Sequence, residues 1–168
     1  SLYPESGEHT DVDASAVMPW IERRRNGHSP SVETPAVRSY LGYLRDRPDS
    51  IVDALRDAAH ADGATIVHCA AGKDRTGTLV ALALSLADAE RQAIIDDYTA
   101  SSDRMERIVA RLMASPTYAD NLRDRPLSSH LSHPETMISF LRHIDKTFGT
   151  VQQMLIKMGW TAEDSEQL

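Results

Sequence analysis

Cys69 and Arg75 are the two residues of this chain whose types and spacing are best suited to chemistry. They are separated by five residues in the string His68-Cys69-Ala70-Ala71-Gly72-Lys73-Asp74-Arg75-Thr76-Gly77. A thiolate is the attacking form of cysteine, and its pKa falls at a helix N-terminus or beside cationic groups. Arg75 presents parallel donors that can grip two oxygens of one phosphoryl group, a geometry lysine does not reproduce. The amides of Ala70, Ala71, Gly72 and Lys73 can turn toward the same anion. Gly72 lets backbone approach it without an intervening side chain, and Gly77 permits close passage at the start of the following helix. Thr76 can donate its hydroxyl proton to the thiolate. His68, one residue before the sulfur, would point away from it on a strand, so it reads as an orienter through hydrogen bonds and not as the proton acceptor. Such a loop is a phosphate cradle.

Competing readings of the loop fail on spacing. A nucleotide-binding Walker loop needs a glycine where Val67 stands and a Ser or Thr where Asp74 stands. Zinc would have to recruit distant histidines to join the single cysteine. A sulfur-transfer loop also holds a cysteine in an anion-binding turn, but the Arg75-Thr76-Gly77 ending argues for phosphate. Neither a metal nor an organic cofactor is expected. A lone cysteine also excludes an intrachain disulfide and leaves reactivity or burial as its role.

The string resembles the active-site loop of the cysteine-dependent phosphatases, whose signature is His-Cys, five residues, Arg, then Ser or Thr. With Lys73 and Asp74 inside the loop it is most similar to the bacterial and fungal tyrosine-phosphatase-like family, whose members include a secreted mycobacterial protein and lipid phosphatase. The resemblance implies that Cys69 forms a phosphocysteine intermediate and that Arg75 binds the phosphoryl group. It implies that Lys73 helps recognise phosphotyrosine or phosphoinositide, and that Asp74 is the general acid, a role that conventional tyrosine phosphatases give to an aspartate on a separate loop. The expected partner is therefore a phosphorylated protein or a phosphoinositide. The likeness covers most of the chain after residue 60 and is poor before it. A different class of function stays open beside this one, a catalytically silent module that keeps the cradle to bind phosphate.

The elements that must position the loop follow from apolar spacing. Thr65-Ile66-Val67 before the loop and Leu79 to Leu86 after it read as strand, loop and helix. The run from Thr78 to Leu86 is almost uniformly apolar, so its helix should be surrounded by protein. Upstream, Thr34 and Pro35 start a helix with Val37, Tyr40, Leu41 and Leu44 on one face; Tyr40 and Tyr43 read as packing and rim residues. A second helix is expected from Ser50, with Asp53 completing a capping box and Asp62-Gly63 ending it. Downstream, Asp88 should cap a helix through Ile94, Ile95 and Tyr98. Met105 to Leu112 suggests another, and Thr117 to Ser132 reads as a polar connector. The family likeness implies a helical lid over residues 105–130. Ser132 and Glu135 stand at capping-box spacing before a helix carrying Met137, Phe140, Leu141, Ile144 and Phe148. Val151 to Met158 forms the next, and Thr161 caps a last turn.

The expected fold class is therefore helix-rich α/β: a three-layer cysteine-phosphatase-like fold around a central, mostly parallel sheet. Only Thr65 to Cys69 reads as a confident strand, and a lone parallel strand cannot satisfy its own hydrogen bonds. Either weak early segments supply its neighbours, or the sheet is incomplete at the N-terminus. The family likeness favours the second, with a missing N-terminal segment or a second chain completing it. At 168 residues the chain reads as one domain, 1–168. Within it, Val17 to Ile21 is a first apolar anchor and residues 22–33, with Arg23-Arg24-Arg25 and Asn26-Gly27, form a loop.

Composition sets the outer limits. Apolar content of 41% and charged content of 26% are ordinary for a globular protein. A formal charge of -7 argues against non-specific nucleic-acid binding, although one local pocket can still be positive. The longest apolar stretch is too short to span a bilayer, so no stable membrane insertion is expected. No charged-then-apolar leader opens the sequence. The expected location is cytoplasmic, or outside the cell by a route that leaves no such signal, and the family likeness suggests a bacterial source.

Overall fold

Packing of apolar helix stripes builds this molecule. In the computed structural model the described residues are 34–168; the Val17 to Ile21 anchor and the 22–33 loop lie outside them. Among the described residues nine α-helices follow in order: α1 (Pro35–Asp46), α2 (Pro48–Ala59), α3 (Asp74–Leu86), α4 (Arg91–Ala100), α5 (Met105–Met113), α6 (Pro116–Leu122), α7 (Pro134–Phe148), α8 (Val151–Met158) and α9 (Ala162–Gln167). Short 3-10 turns at Ser101–Arg104 and Leu127–His130 join α4 to α5 and lead into α7.

Helix α3 sits at the centre, against α1, α2, α4 and α8, while α7 closes over α1, α4 and α8. Leu79 and Leu82 of α3 enter one core with Tyr40 and Leu44 of α1, Ile51 and Leu55 of α2, Tyr98 of α4, Phe140 and Leu141 of α7, and Leu155 of α8. The flank carrying Val80, Ala83 and Leu86 is only half-buried, so α3 is enclosed on most sides and not all. At α1 the expected start holds: Thr34 accepts from the Val37 amide at 3.3 Å and Pro35 fills the first turn. That cap fixes the rotation that brings Val37, Tyr40 and Leu44 inward.

The expected sheet is not there. Among the described residues no strand occurs, and the architecture is helical, not a three-layer α/β fold. Residues 64–69 run without regular structure into the loop before α3; Val67 packs on the core, but Ile66 is 86% exposed. A strand exists only where a neighbour takes its backbone hydrogen bonds. Here the apolar run Thr65-Ile66-Val67 has no neighbouring strand among the described residues.

Several helix starts also differ from expectation, because a capping pattern competes with prolines and buried polar groups nearby. Helix α2 begins at Pro48, so Ser50 lies inside its first turn and Asp53 pairs with Arg56 at 3.4 Å instead of closing a box. Glu90, not Asp88, precedes α4, and Asp88 sits in the left-handed region at φ 59°. His133 precedes α7, while Ser132 is buried and its amide donates to the Ser102 hydroxyl at 2.9 Å. The connector from Thr117 is partly helical, since Pro116 starts α6. Thr161 does cap α9, in a box with Asp164. The Asp164 carboxylate receives two bonds from Arg56 at 2.9 Å each, tying α9 back to α2.

Candidate active site

The loop from Cys69 to Lys73 feeds directly into the N-terminus of α3, so Asp74, Arg75 and Thr76 form the first turn. The Gly77 amide donates to the Lys73 carbonyl at 2.9 Å, which winds the helix immediately after the loop. Gly72 adopts φ +69°, a conformation that L side chains rarely take, and this reverses the chain so that the loop can close. The preceding amides of α3 have no intrahelical acceptors and carry the positive end of the helix dipole.

Cys69 is a half-buried free thiol at the mouth of this turn. Burial alone pushes its pKa up, but the hydroxyl and amide of Thr76, the Arg75 guanidinium and the Gly72 amide outweigh burial and hold it below the usual thiol value. The Thr76 hydroxyl is buried and has no hydrogen-bond partner among the described residues.

Lys73 joins the loop to the segment that ends at His130. Its ammonium donates to the His130 carbonyl at 3.1 Å and lies 3.5 Å from Asp74 Oδ1. The His130 imidazole is held below its ordinary pKa by burial, and then by the Lys73 and Arg125 cations. From α5, Arg111 donates to the Ala70 carbonyl at 3.4 Å. The segment spanning α5 to Leu127–His130 therefore touches the loop at both Ala70 and Lys73. Ala71 lies half-buried within the loop, and His68 is exposed before it.

Sequence reasoning missed the far side of Asp74. The Tyr40 hydroxyl, from α1, donates to Asp74 Oδ1 at 2.8 Å, and the Tyr98 hydroxyl of α4 lies 2.8 Å from that of Tyr40. Tyr40 has no exposed surface, and a buried phenol requires a partner for its hydroxyl. That requirement was the available signal, since Tyr40 stands on the inward stripe of α1 and Tyr98 on that of α4. Gly77 serves this arrangement: a Cβ there would meet the Tyr98 ring at 2.9 Å. The close passage expected at Gly77 is made by the Tyr98 ring.

Two bacterial proteins are similar to part of the chain. A tyrosine-protein phosphatase of Nostoc commune is 45% identical over 51 residues, and the triple specificity protein phosphatase PtpB of Mycobacterium tuberculosis is 45% identical over 47 residues. These matches take in 30% and 28% of this chain and 17% of each relative's length. The profile of the tyrosine phosphatase family matches far more, residues 4–168. Because that match runs along almost the whole sequence, and not merely through the loop, the chain belongs to the tyrosine phosphatase family.

Proposed function

We propose that this chain hydrolyses phosphomonoesters, with phosphotyrosine in proteins as its substrate and phosphoinositides as a second class, through a phosphocysteine intermediate. The observation that carries the reading is the Cys69 sulfur, held toward its thiolate by Thr76, Arg75 and the Gly72 amide at the N-terminus of α3. In the first step the thiolate attacks phosphorus, the S–P bond forms and the P–O bond to the leaving group breaks. Asp74 gives its proton to the departing oxygen. In the second step water attacks phosphorus, its proton passes to the Asp74 carboxylate, and the S–P bond breaks to release phosphate and the thiolate. Arg75, with the amides of Ala70, Ala71, Gly72, Lys73 and Thr76, stabilises charge on the transferring oxygens in both steps. Lys73, beside Asp74, contributes positive charge to substrate recognition, and His68 orients the loop. Residues 105–130 act as a lid over the loop.

Rapid quenching of a reaction with p-nitrophenyl phosphate, followed by intact-mass and peptide analysis, tests the reading. A phosphoryl adduct on Cys69, with turnover abolished in Cys69→Ser, is the expected result. The alkylation rate of Cys69 should inflect below the ordinary thiol value of about 8.5. Turnover that survives Cys69→Ser would sink the mechanism.

A further inference from the structure

We propose that Tyr40 is a positioning residue for Asp74, its phenol deciding which carboxyl oxygen carries the proton delivered to the leaving group. This rests on the reading of Asp74 as the acid. A carboxylic acid has two oxygens and one proton. The oxygen that already accepts a hydrogen bond is the better place for the lone pair, and the other is left for the proton. Tyr40 donates to Oδ1 at 2.8 Å, and the Lys73 ammonium lies 3.5 Å from the same oxygen. Among the described residues both contacts fall on Oδ1, so when Asp74 is protonated the proton is left to Oδ2, and the carboxyl group cannot turn over without bringing that proton against the Tyr40 hydroxyl and the Lys73 ammonium.

Tyr40 is itself held firmly enough to set that choice. Its ring has no exposed surface and lies between Tyr43, Tyr98 and Phe140 at centroid distances of 6.2, 6.3 and 5.9 Å. Its single hydroxyl proton goes to Asp74, so the 2.8 Å contact with Tyr98 is made by the Tyr98 hydroxyl donating to the Tyr40 oxygen. The result is a directed chain, Tyr98 to Tyr40 to Asp74, that starts in the core and ends at the loop. Both phenols stay protonated: burial first, then the charge of Asp74, pushes Tyr40 well above its ordinary value, and burial raises Tyr98 to about 12. Neither phenol gives up its proton at neutral pH. Tyr40 thus acts through Asp74 without touching substrate.

The test is a leaving-group series on the full chain, comparing phenyl phosphate with 2,4-dinitrophenyl phosphate in the wild type, Asp74→Asn, Tyr40→Phe and Tyr98→Phe. Phenylalanine keeps the ring in the core, and the ratio of two substrates on one protein cancels any loss of folded enzyme. Tyr40→Phe should slow phenyl phosphate by about tenfold or more in kcat, a fraction of a full general-acid contribution. It should change the activated ester less than about threefold and leave KM for both esters near wild type. Tyr98→Phe, which spares the bond to Asp74, should give a smaller effect of the same kind. If Asp74→Asn discriminates between the esters while Tyr40→Phe slows both alike or neither, the positioning role is overturned and the acid stands. If Asp74→Asn slows both alike, the acid assignment fails and the role of Tyr40 falls with it. Absence of Cys69-dependent hydrolysis of either ester overturns the phosphatase reading itself.

Discussion

Replacing Gly77 with alanine probes how tightly the Tyr98 ring is seated against the first turns of α3. In an unhindered helix interior this change stabilises by about 1 kcal/mol, because alanine loses less backbone entropy. Here the new Cβ would stand 2.9 Å from Cδ2 and 3.2 Å from Cε2 of Tyr98, so the ring must retreat by roughly half an ångström to reach ordinary contact. That ring is only 4% exposed, packs edge-on to Tyr40 and has its hydroxyl tied to the Tyr40 hydroxyl. Overfilling a site of this kind costs about 1–3 kcal/mol. Against the helix-propensity gain, the expected net loss is about 1 kcal/mol, or a fall of about 2–4 °C in melting temperature for a chain of this size. Thermal melts followed by circular dichroism measure it. In a Tyr98→Leu background the ring is gone, and Gly77→Ala should instead stabilise. A rise in melting temperature on Gly77→Ala in the native background would refute the reasoning, as would the same loss in both backgrounds.

Arg75→Lys should lower kcat by about 10²-fold or more, since charge is kept but the two-pronged grip on the phosphoryl oxygens is lost; a loss within threefold would show that other groups hold the phosphate. Asp164 has its carboxyl pKa held low, chiefly by the Arg56 bonds and against burial. Its contribution to stability is therefore complete above the unfolded value of about 3.9 and is lost as pH falls from there toward the lower folded value. Asp164→Asn should melt below the wild type at neutral pH, and the gap should narrow as pH falls below about 4; a gap that stays constant with pH would contradict the ion pair. Deuterium exchange with and without vanadate should show protection at 105–130, where Arg111 and His130 meet the loop; identical exchange in both conditions would remove the lid.

What could be read from the chain was local. Each residue of the string from Cys69 to Gly77 lies within one loop and about one helical turn, so spacing alone keeps the sulfur, the guanidinium and the amides near one another. The α1, α8 and α9 starts were legible for the same reason, since Thr34, Thr150 and Thr161 each accept from an amide three residues on. Prolines misled the neighbouring readings: Pro48 and Pro134 each take the first helical position, displacing the Ser50 and Ser132 boxes. The error over the sheet has another origin. A short apolar run such as Thr65-Ile66-Val67 records only that the segment suits an extended conformation, whereas a strand is a relation between two segments. The Tyr40–Asp74 bond was hidden by distance along the chain, for it joins residues 34 apart.

Both points bear on how the loop from Cys69 to Arg75 is held where no strand lies behind it among the described residues. The chief groups that lower the Cys69 pKa against burial, Thr76, Arg75 and the Gly72 amide, come from the loop or the first turn of α3. Helix α3 carries that turn at one end and sinks Leu79, Ala81 and Leu82 into the core along its length. A shift of the loop relative to the core would therefore require α3 to move against α1, α2, α4 and α8 together. Asp74 is restrained from the opposite direction, by a phenol whose own position is fixed by aromatic packing in that core. Cys69 and Asp74 are thus both referred to the helical core, by different routes. That common reference, and not the exposed segment around Ile66, gives the loop the rigidity that transition-state stabilisation requires.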